Sequence, residues 1–184
     1  MKKALLVIDV QMEYFTGKMK VTYPMESLPN IKRVMEFAKQ KGMKIVVVQH
    51  TNLEKSTFVK GTEGWELHDA IKERAFDYLV EKTRPSSFCG TNLEEILKKD
   101  NIEGVVIVGY MTQMCCDSTA REAFHRGYHV DFLSDATGTI DVTTPIGSIS
   151  SEELHKAALI TQSMAFSNVV TTEEWMEKYL ENNR

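Results

Sequence analysis

Cysteine is scarce in this sequence, and an odd count of three excludes a framework of paired disulfides. A reducing, cytoplasmic setting is the default expectation. No apolar run is long enough to cross a bilayer. The longest, such as IVVV and VVIV, stop far short of the ~20 residues a spanning helix needs. Basic charge is not in excess either. The chain carries 22 Lys and Arg against 26 Asp and Glu, a net charge of −4, with no Lys/Arg-rich run, which argues against a nucleic-acid partner. The N-terminus MKKALLVIDVQ begins basic, but its apolar stretch ends at Asp9 without a small-residue cleavage site, so it does not read as a signal peptide. No repeat, low-complexity tract or linker interrupts the sequence. Its 184 residues, 42% hydrophobic and 26% charged, are expected to form a single soluble domain over 1–184.

What is present is a regular alternation. ALLVI (4–8), KIVVVQ (44–49), DYLVEK (77–82), GVVIVGY (104–110), HVDFLSD (129–135) and NVVT (168–171) read as six strands, several of them continuously apolar. Between them lie helical patterns. LPNIKRVMEFAKQKG places Ile31, Val34, Met35 and Ala38 on one face and stops at Gly42. WELHDAI suggests a short helix. TNLEEILKK opens with Thr91 and Glu94 at capping-box spacing, and SEELHKAALITQSMAF with Ser150 and Glu153. CCDSTAREAFHRG ends at Gly127, and TEEWMEKYLEN closes the chain. Strands alternating with helices imply a three-layer, doubly wound α/β fold, with a six-stranded, mostly parallel sheet and helices on both faces. The stretches 10–24, 50–66 and 136–149 read as long loops.

Sites on open parallel sheets form at the carboxyl ends of strands. Asp9, His50, Lys82 and Asp135 stand at such ends, and Cys115 follows the fourth strand at the start of a helix. A thiol there faces the positive end of the helix dipole, and a nearby lysine would acidify it further. A carboxylate in the same site can carry the proton. Asp9, Lys82 and Cys115 thus supply the parts of a thiol hydrolase. Each residue alone also has an ordinary reading, as a turn-capping aspartate, a solvated lysine or a small buried cysteine. Successive helix side chains point ~100° apart, so Cys116 should turn to the core if Cys115 faces the site. A Cys115–Cys116 disulfide is disfavoured by geometry, and the pair with distant Cys89 is a weak zinc signal.

The blocks ALLVIDVQMEYF, VEKTRPSSFCGTNLEEIL and GYMTQMCCDSTAREAFHRGYHVDFLSDA resemble, in order and separation, the isochorismatase-like cysteine hydrolases. KGTEGWEL and ELHKAAL are similar to the family's middle and C-terminal segments, so the resemblance covers nearly the whole chain. It implies Asp9 as proton shuttle, Lys82 as the lysine and Cys115 as nucleophile, with Cys116 where the family usually has valine. It also implies a non-proline cis peptide at Tyr110–Met111, with the Met111 and Cys115 amides as oxyanion hole. Nicotinamidases of this fold bind a metal through an Asp and two His after the second strand. Here His50 is present but no D-x-H follows, and Thr57 stands near the place of a second histidine, so no metal or other cofactor is expected. The cysteine argues for C–N hydrolysis over vinyl-ether cleavage.

The expected activity is metal-independent hydrolysis of a small amide, carbamoyl or ureido compound through a thioester. Gln11, Phe15, Trp65, Phe88 and Gln113 are candidate substrate contacts. For Trp65 and Phe88, packing is the competing role. Arg84 and Arg121 could hold a substrate carboxylate. The partner is a small molecule, with no nucleic acid and no membrane, and the family resemblance implies a homo-oligomer, dimer or tetramer. Three alternatives stay open. They are a metal-containing nicotinamidase, a non-catalytic binding protein on the same fold, and a thiol redox protein using Cys115 or Cys89.

Overall fold

The computed structural model describes residues 1–52 and 57–182. Within them the strands run β1 (Lys3–Ile8), β2 (Lys44–His50), β3 (Tyr78–Lys82), β4 (Gly104–Tyr110), β5 (His129–Gly138), β6 (Val142–Thr144), β7 (Gly147–Ile149) and β8 (Asn168–Val170). The helices are α1 (Ser27–Gln40), α2 (Asp69–Lys72), α3 (Leu93–Lys99), α4 (Asp117–His125), α5 (Ser151–Ala165) and α6 (Thr172–Asn182). Six strands form one sheet in the order β3-β2-β1-β4-β5-β8. Every pairing in it is parallel, so the sheet is wholly parallel where a mixed edge was allowed for.

Side chains on a strand alternate between faces, and here both faces are covered. On one, Leu5 and Val7 pack with Ile31, Val34, Met35 and Ala38 of α1 and with Trp175 of α6. On the other, Ala4, Leu6 and Ile8 pack with Leu93, Ile96 and Leu97 of α3 and Ala120 and Ala123 of α4. This is why β1 and β4 read as unbroken apolar runs. Among the described residues, no helix is long and apolar enough to cross a membrane.

Two expectations need correction. Residues 136–149 are not structureless: β5 continues to Gly138, and β6 and β7 form an antiparallel hairpin. The Thr91–Glu94 box does not form. Thr91 Oγ1 donates to the Ser87 carbonyl and accepts from the Leu93 amide, while Glu94 pairs with Lys98 and Arg126. The Ser150–Glu153 box at α5 is complete.

The chain winds outward from β1 to β2 and β3, then returns to lay β4 on the other side of β1. That reversal opens a crevice between the carboxyl ends of β1 and β4. Asp9 follows β1, Lys82 ends β3, and a single π-helical turn, Thr112–Cys116, leads from the end of β4 into α4.

Candidate active site

At Gly109 (φ +118°) β4 lies so close to β1 that a Cβ would sit 2.0 Å from the Ile8 carbonyl oxygen. Only glycine fits, and the residue that follows Ile8 at the end of β1 is Asp9. Asp9 itself has φ 51°, a left-handed conformation uncommon outside glycine and often found where a side chain is aimed for function. After Gly109 the chain passes through Tyr110, a cis Tyr110–Met111 peptide and the π turn that carries Cys115.

These elements bring Asp9, Lys82 and Cys115 together. Lys82 Nζ lies 2.7 Å from Asp9 Oδ2 and donates to Cys115 Sγ at 3.2 Å. Its third contact, at 3.0 Å, is His50 Nδ1. Asp9 is 0% exposed and Lys82 1%, whereas Cys115 keeps 7%, so Cys115 is the most accessible residue of the three. Beyond the Lys82 ammonium and the facing Cys115 thiol, neither Asp9 oxygen has a hydrogen-bond partner among the described residues, so the carboxylate retains acceptor capacity.

The electrostatics overturn one expectation. Burial pushes the Cys115 thiol pKa up, the Asp9 carboxylate adds to this, and Lys82 offsets only part. Lys82 and Asp9 already form a neutral pair, so a thiolate would leave a net negative charge in a dry site. Burial and Asp9 thus hold the Cys115 thiol above its ordinary pKa, where Lys82 and the helix start had been expected to lower it. For Lys82, burial favours the neutral amine, but Asp9 and Cys115 outweigh it and raise its pKa. Cys116 is fully buried in the core beside Ala120 and Ile107, and burial raises its thiol pKa as well. All three cysteines are free.

Asp9, His50 and Cys115 place potential ligand atoms within 4.8 Å of one another, a spacing a metal could use. The Lys82 ammonium contacts all three and fills their centre. A divalent cation there would displace or deprotonate it, so the donor set does not fit a metal.

Of the other candidate contacts, Gln11 is fully buried. Its amide donates to the His50 and Trp65 carbonyls and accepts from the His50 amide, which makes it a tie between loops. Trp65 donates from Nε1 to Thr51 Oγ1, with the Lys60 ammonium 5.4 Å from its ring. Phe88 does not reach the crevice. It stacks on Tyr128 just before β5 and lies under Arg126, because the chain after Lys82 runs back along α4 toward the amino edge. Phe15 is half-buried against Tyr110 and His68. Gln113 sits two residues before Cys115, with a buried Oε1 that has no hydrogen-bond partner among the described residues. Arg121 is committed to Asp117 and the Phe166 ring, and Arg84 is exposed.

Tyr14 was not singled out from the sequence, nor was the pairing of Thr112 with His155. Tyr14 is buried against Phe58 and Tyr110. Burial raises its hydroxyl pKa, and Cys115 and Asp9 add to this, so it faces the same charges. Its signal was the aromatic cluster in QMEYF. Thr112 and His155 form a buried pair. His155 Nε2 lies 2.8 Å from the Ser134 carbonyl, an acceptor, so Nε2 carries the proton, and Thr112 Oγ1 donates to Nδ1 at 2.8 Å. This anchors the π turn to α5 and β5. Cavities of about 360 and 610 Å³ open at the opposite, amino edge beside Lys3 and Asp131, far from this chemistry.

The family model described as Isochorismatase domain matches residues 3–174. A secreted isochorismatase effector, Isc1, of Verticillium dahliae is 34% identical over 92% of this chain and 88% of its own length. Nicotinamidase 3 of Arabidopsis thaliana is 30% identical over 97% of this chain and 89% of its own. Among solved structures, a putative isochorismatase from Burkholderia xenovorans LB400 superposes with a TM-score of 0.93 at 41% identity, covering 95% of this chain and 86% of that one. Matched along nearly its whole length by the family model and by these relatives, the chain belongs to the isochorismatase family of hydrolases.

Proposed function

We propose that this protein is a metal-independent cysteine amidohydrolase that cleaves a C–N bond of a small amide, carbamoyl or ureido compound. The observation that carries this reading is the Lys82 ammonium held between Asp9 and Cys115, with Asp9 left able to accept a proton. Asp9 takes the Cys115 proton as Sγ attacks the carbonyl carbon. The Met111 and Cys115 amides stabilise the oxyanion, where loss of one donor typically costs ~10²–10³ in turnover. The tetrahedral adduct collapses, the C–N bond breaks, and Asp9 gives its proton to the departing nitrogen. Water, deprotonated by Asp9, then hydrolyses the thioester. The acid leaves, and the proton returns to Sγ. Lys82 pairs with Asp9 and balances the anion that forms. A free nucleophilic thiol suits a reducing, cytoplasmic compartment. A homo-oligomer, dimer or tetramer, would cover exposed Ile146, Ile160 and Met164.

A metal-containing nicotinamidase is the second reading, motivated by the nicotinamidase relative. An ammonia-release screen over primary amides, ureido acids, N-carbamoyl amino acids and nicotinamide separates the two. We expect turnover that survives chelation and disappears in Cys115→Ala. Stoichiometric metal lost together with activity would overturn the proposal, as would the absence of any acyl-enzyme on every substrate class.

A further inference from the structure

His50 ends β2 and belongs to no part of the mechanism above, yet it touches the centre of the site. Lys82 is a donor only, so at 3.0 Å His50 Nδ1 must accept and Nε2 must carry the ring proton. That proton points to Asn52 Oδ1 at 2.9 Å, and Asn52 Nδ2 donates to the Thr57 carbonyl at 2.6 Å. A continuous chain of oriented hydrogen bonds thus runs from the buried ammonium into the loop after β2. The Phe58 ring, 5.5 Å away, walls the imidazole on one side. The backbone is pinned as well, since the His50 amide and carbonyl both bond Gln11.

We propose that His50 is a positioning residue: as a neutral imidazole it takes the third Lys82 proton and holds the ammonium in line between Asp9 and Cys115. An ammonium has three N–H bonds, and only with all three assigned does Nζ have a single orientation. Without Nδ1, one N–H would be buried without a partner, and Lys82 would rotate or shift toward Asp9 and away from the sulfur. Protonating His50 would have the same effect and add a like charge at 3.0 Å. The charged or titratable groups facing it are Lys82 from β3, Asp9 after β1 and Cys115 after β4. Burial first, and then Lys82, keeps its pKa below the ordinary histidine value, so it is neutral at physiological pH. The arrangement is therefore competent near neutrality and fails on the acid side.

The inference rests on the hydrolase reading for its kinetics, but the decisive readout needs no substrate. Iodoacetamide labelling of Cys115, followed by peptide mapping across a pH series, is compared in wild type, His50→Leu and His50→Asn. Asn places an oxygen near the Nδ1 position and cannot be protonated. Near neutral pH, His50→Leu should label at least about 10-fold more slowly, the size expected for losing one hydrogen bond to a charged group, and His50→Asn should lose less. The ratio of wild type to His50→Asn cancels the titrations of thiol and carboxylate. It should fall as the pH drops below the ordinary histidine range, toward the ratio of His50→Leu to His50→Asn. On an amide identified by the ammonia screen, His50→Leu should lower kcat with little change in KM. A pH-independent labelling ratio, or His50→Leu labelling at the wild-type rate, would overturn the proposal. If His50→Leu does not fold, the His50→Asn ratio still decides. If no amide is hydrolysed but the ratio behaves as stated, the hydrolase reading fails and the positioning role of His50 stands.

Discussion

Lys82 has three ammonium protons and three neighbours to receive them, Asp9, Cys115 and His50. Removing a buried cation leaves its carboxylate partner uncompensated, so Lys82→Met should destabilise the protein by about 3–5 kcal/mol. Adding Asp9→Asn to that variant should restore much of the loss, because the unpaired charge is gone, while turnover stays absent. Urea unfolding of the two singles and the double checks this, and a double no more stable than Lys82→Met would contradict it. The adjacent cysteines divide cleanly. Cys115→Ala should abolish turnover and keep the fold. Cys116→Val, a near volume-conserving change at a fully buried position, should retain most activity and alter stability by less than about 1.5 kcal/mol. Activity and thermal unfolding of both variants test the assignment. The motif resemblance singled out Cys115 over Cys116, but the expected acidification by Lys82 and the helix start runs against the direction that burial sets. Helix position and a nearby lysine are visible along the chain, whereas burial, the largest influence on Cys115, is not.

Among the elements, the junction of β4 with the π turn carries the most constraint. Gly109 has a left-handed φ, and its missing Cβ is replaced by the Ile8 carbonyl. Gly109→Ala should cost at least about 3 kcal/mol, from backbone strain and overpacking together, and should part β1 from β4 directly beneath Asp9. Loss of amide protection at Ile8 and Asp9 in hydrogen exchange, together with reduced stability, is the expected result, and a variant of wild-type stability would refute the close approach. Helix ends were legible where the cap is local. The Ser150–Glu153 box formed, each side chain accepting from the other residue's backbone amide. The Thr91–Glu94 pattern failed because Ser87, Lys98 and Arg126 claimed the same groups first.

For the whole molecule, pH should act first through histidine. Burial lowers the pKa of His50, His68 and His155, and no charge partner reverses it. Folded pKa values below the unfolded ~6.5 mean that the unfolded chain binds the extra protons. The stability present above that value is therefore lost as pH falls through the lower folded values. The urea midpoint should decline from about pH 6.5 downward, before most carboxylates titrate. His155→Gln, which removes one such group, should flatten the slope, and a midpoint that is constant or rises toward acid would contradict the account. Phe88 shows why the site's outline was harder to read than its centre. It follows a strand end, as Lys82 does, yet the chain after β3 turns back along α4 and carries the ring to Tyr128 at the other edge.

The sequence by itself determined the alternation of strands and helices, the burial of the sheet on both faces, the strand-end placement of Asp9, His50, Lys82 and Cys115, and the family. All but the family follow from periodicity and spacing, which act between near neighbours in the chain; the family follows from the resemblance of its motif blocks. Only the tertiary structure decided that Asp9, His50 and Cys115 share the Lys82 ammonium, that Gln11 is spent on backbone, that Thr112 leans on His155, and that burial raises the pKa of the thiol. Those outcomes depend on distances between residues far apart in sequence and on the dielectric around them. Both exist only once β1 to β4 lie side by side with their carboxyl ends together.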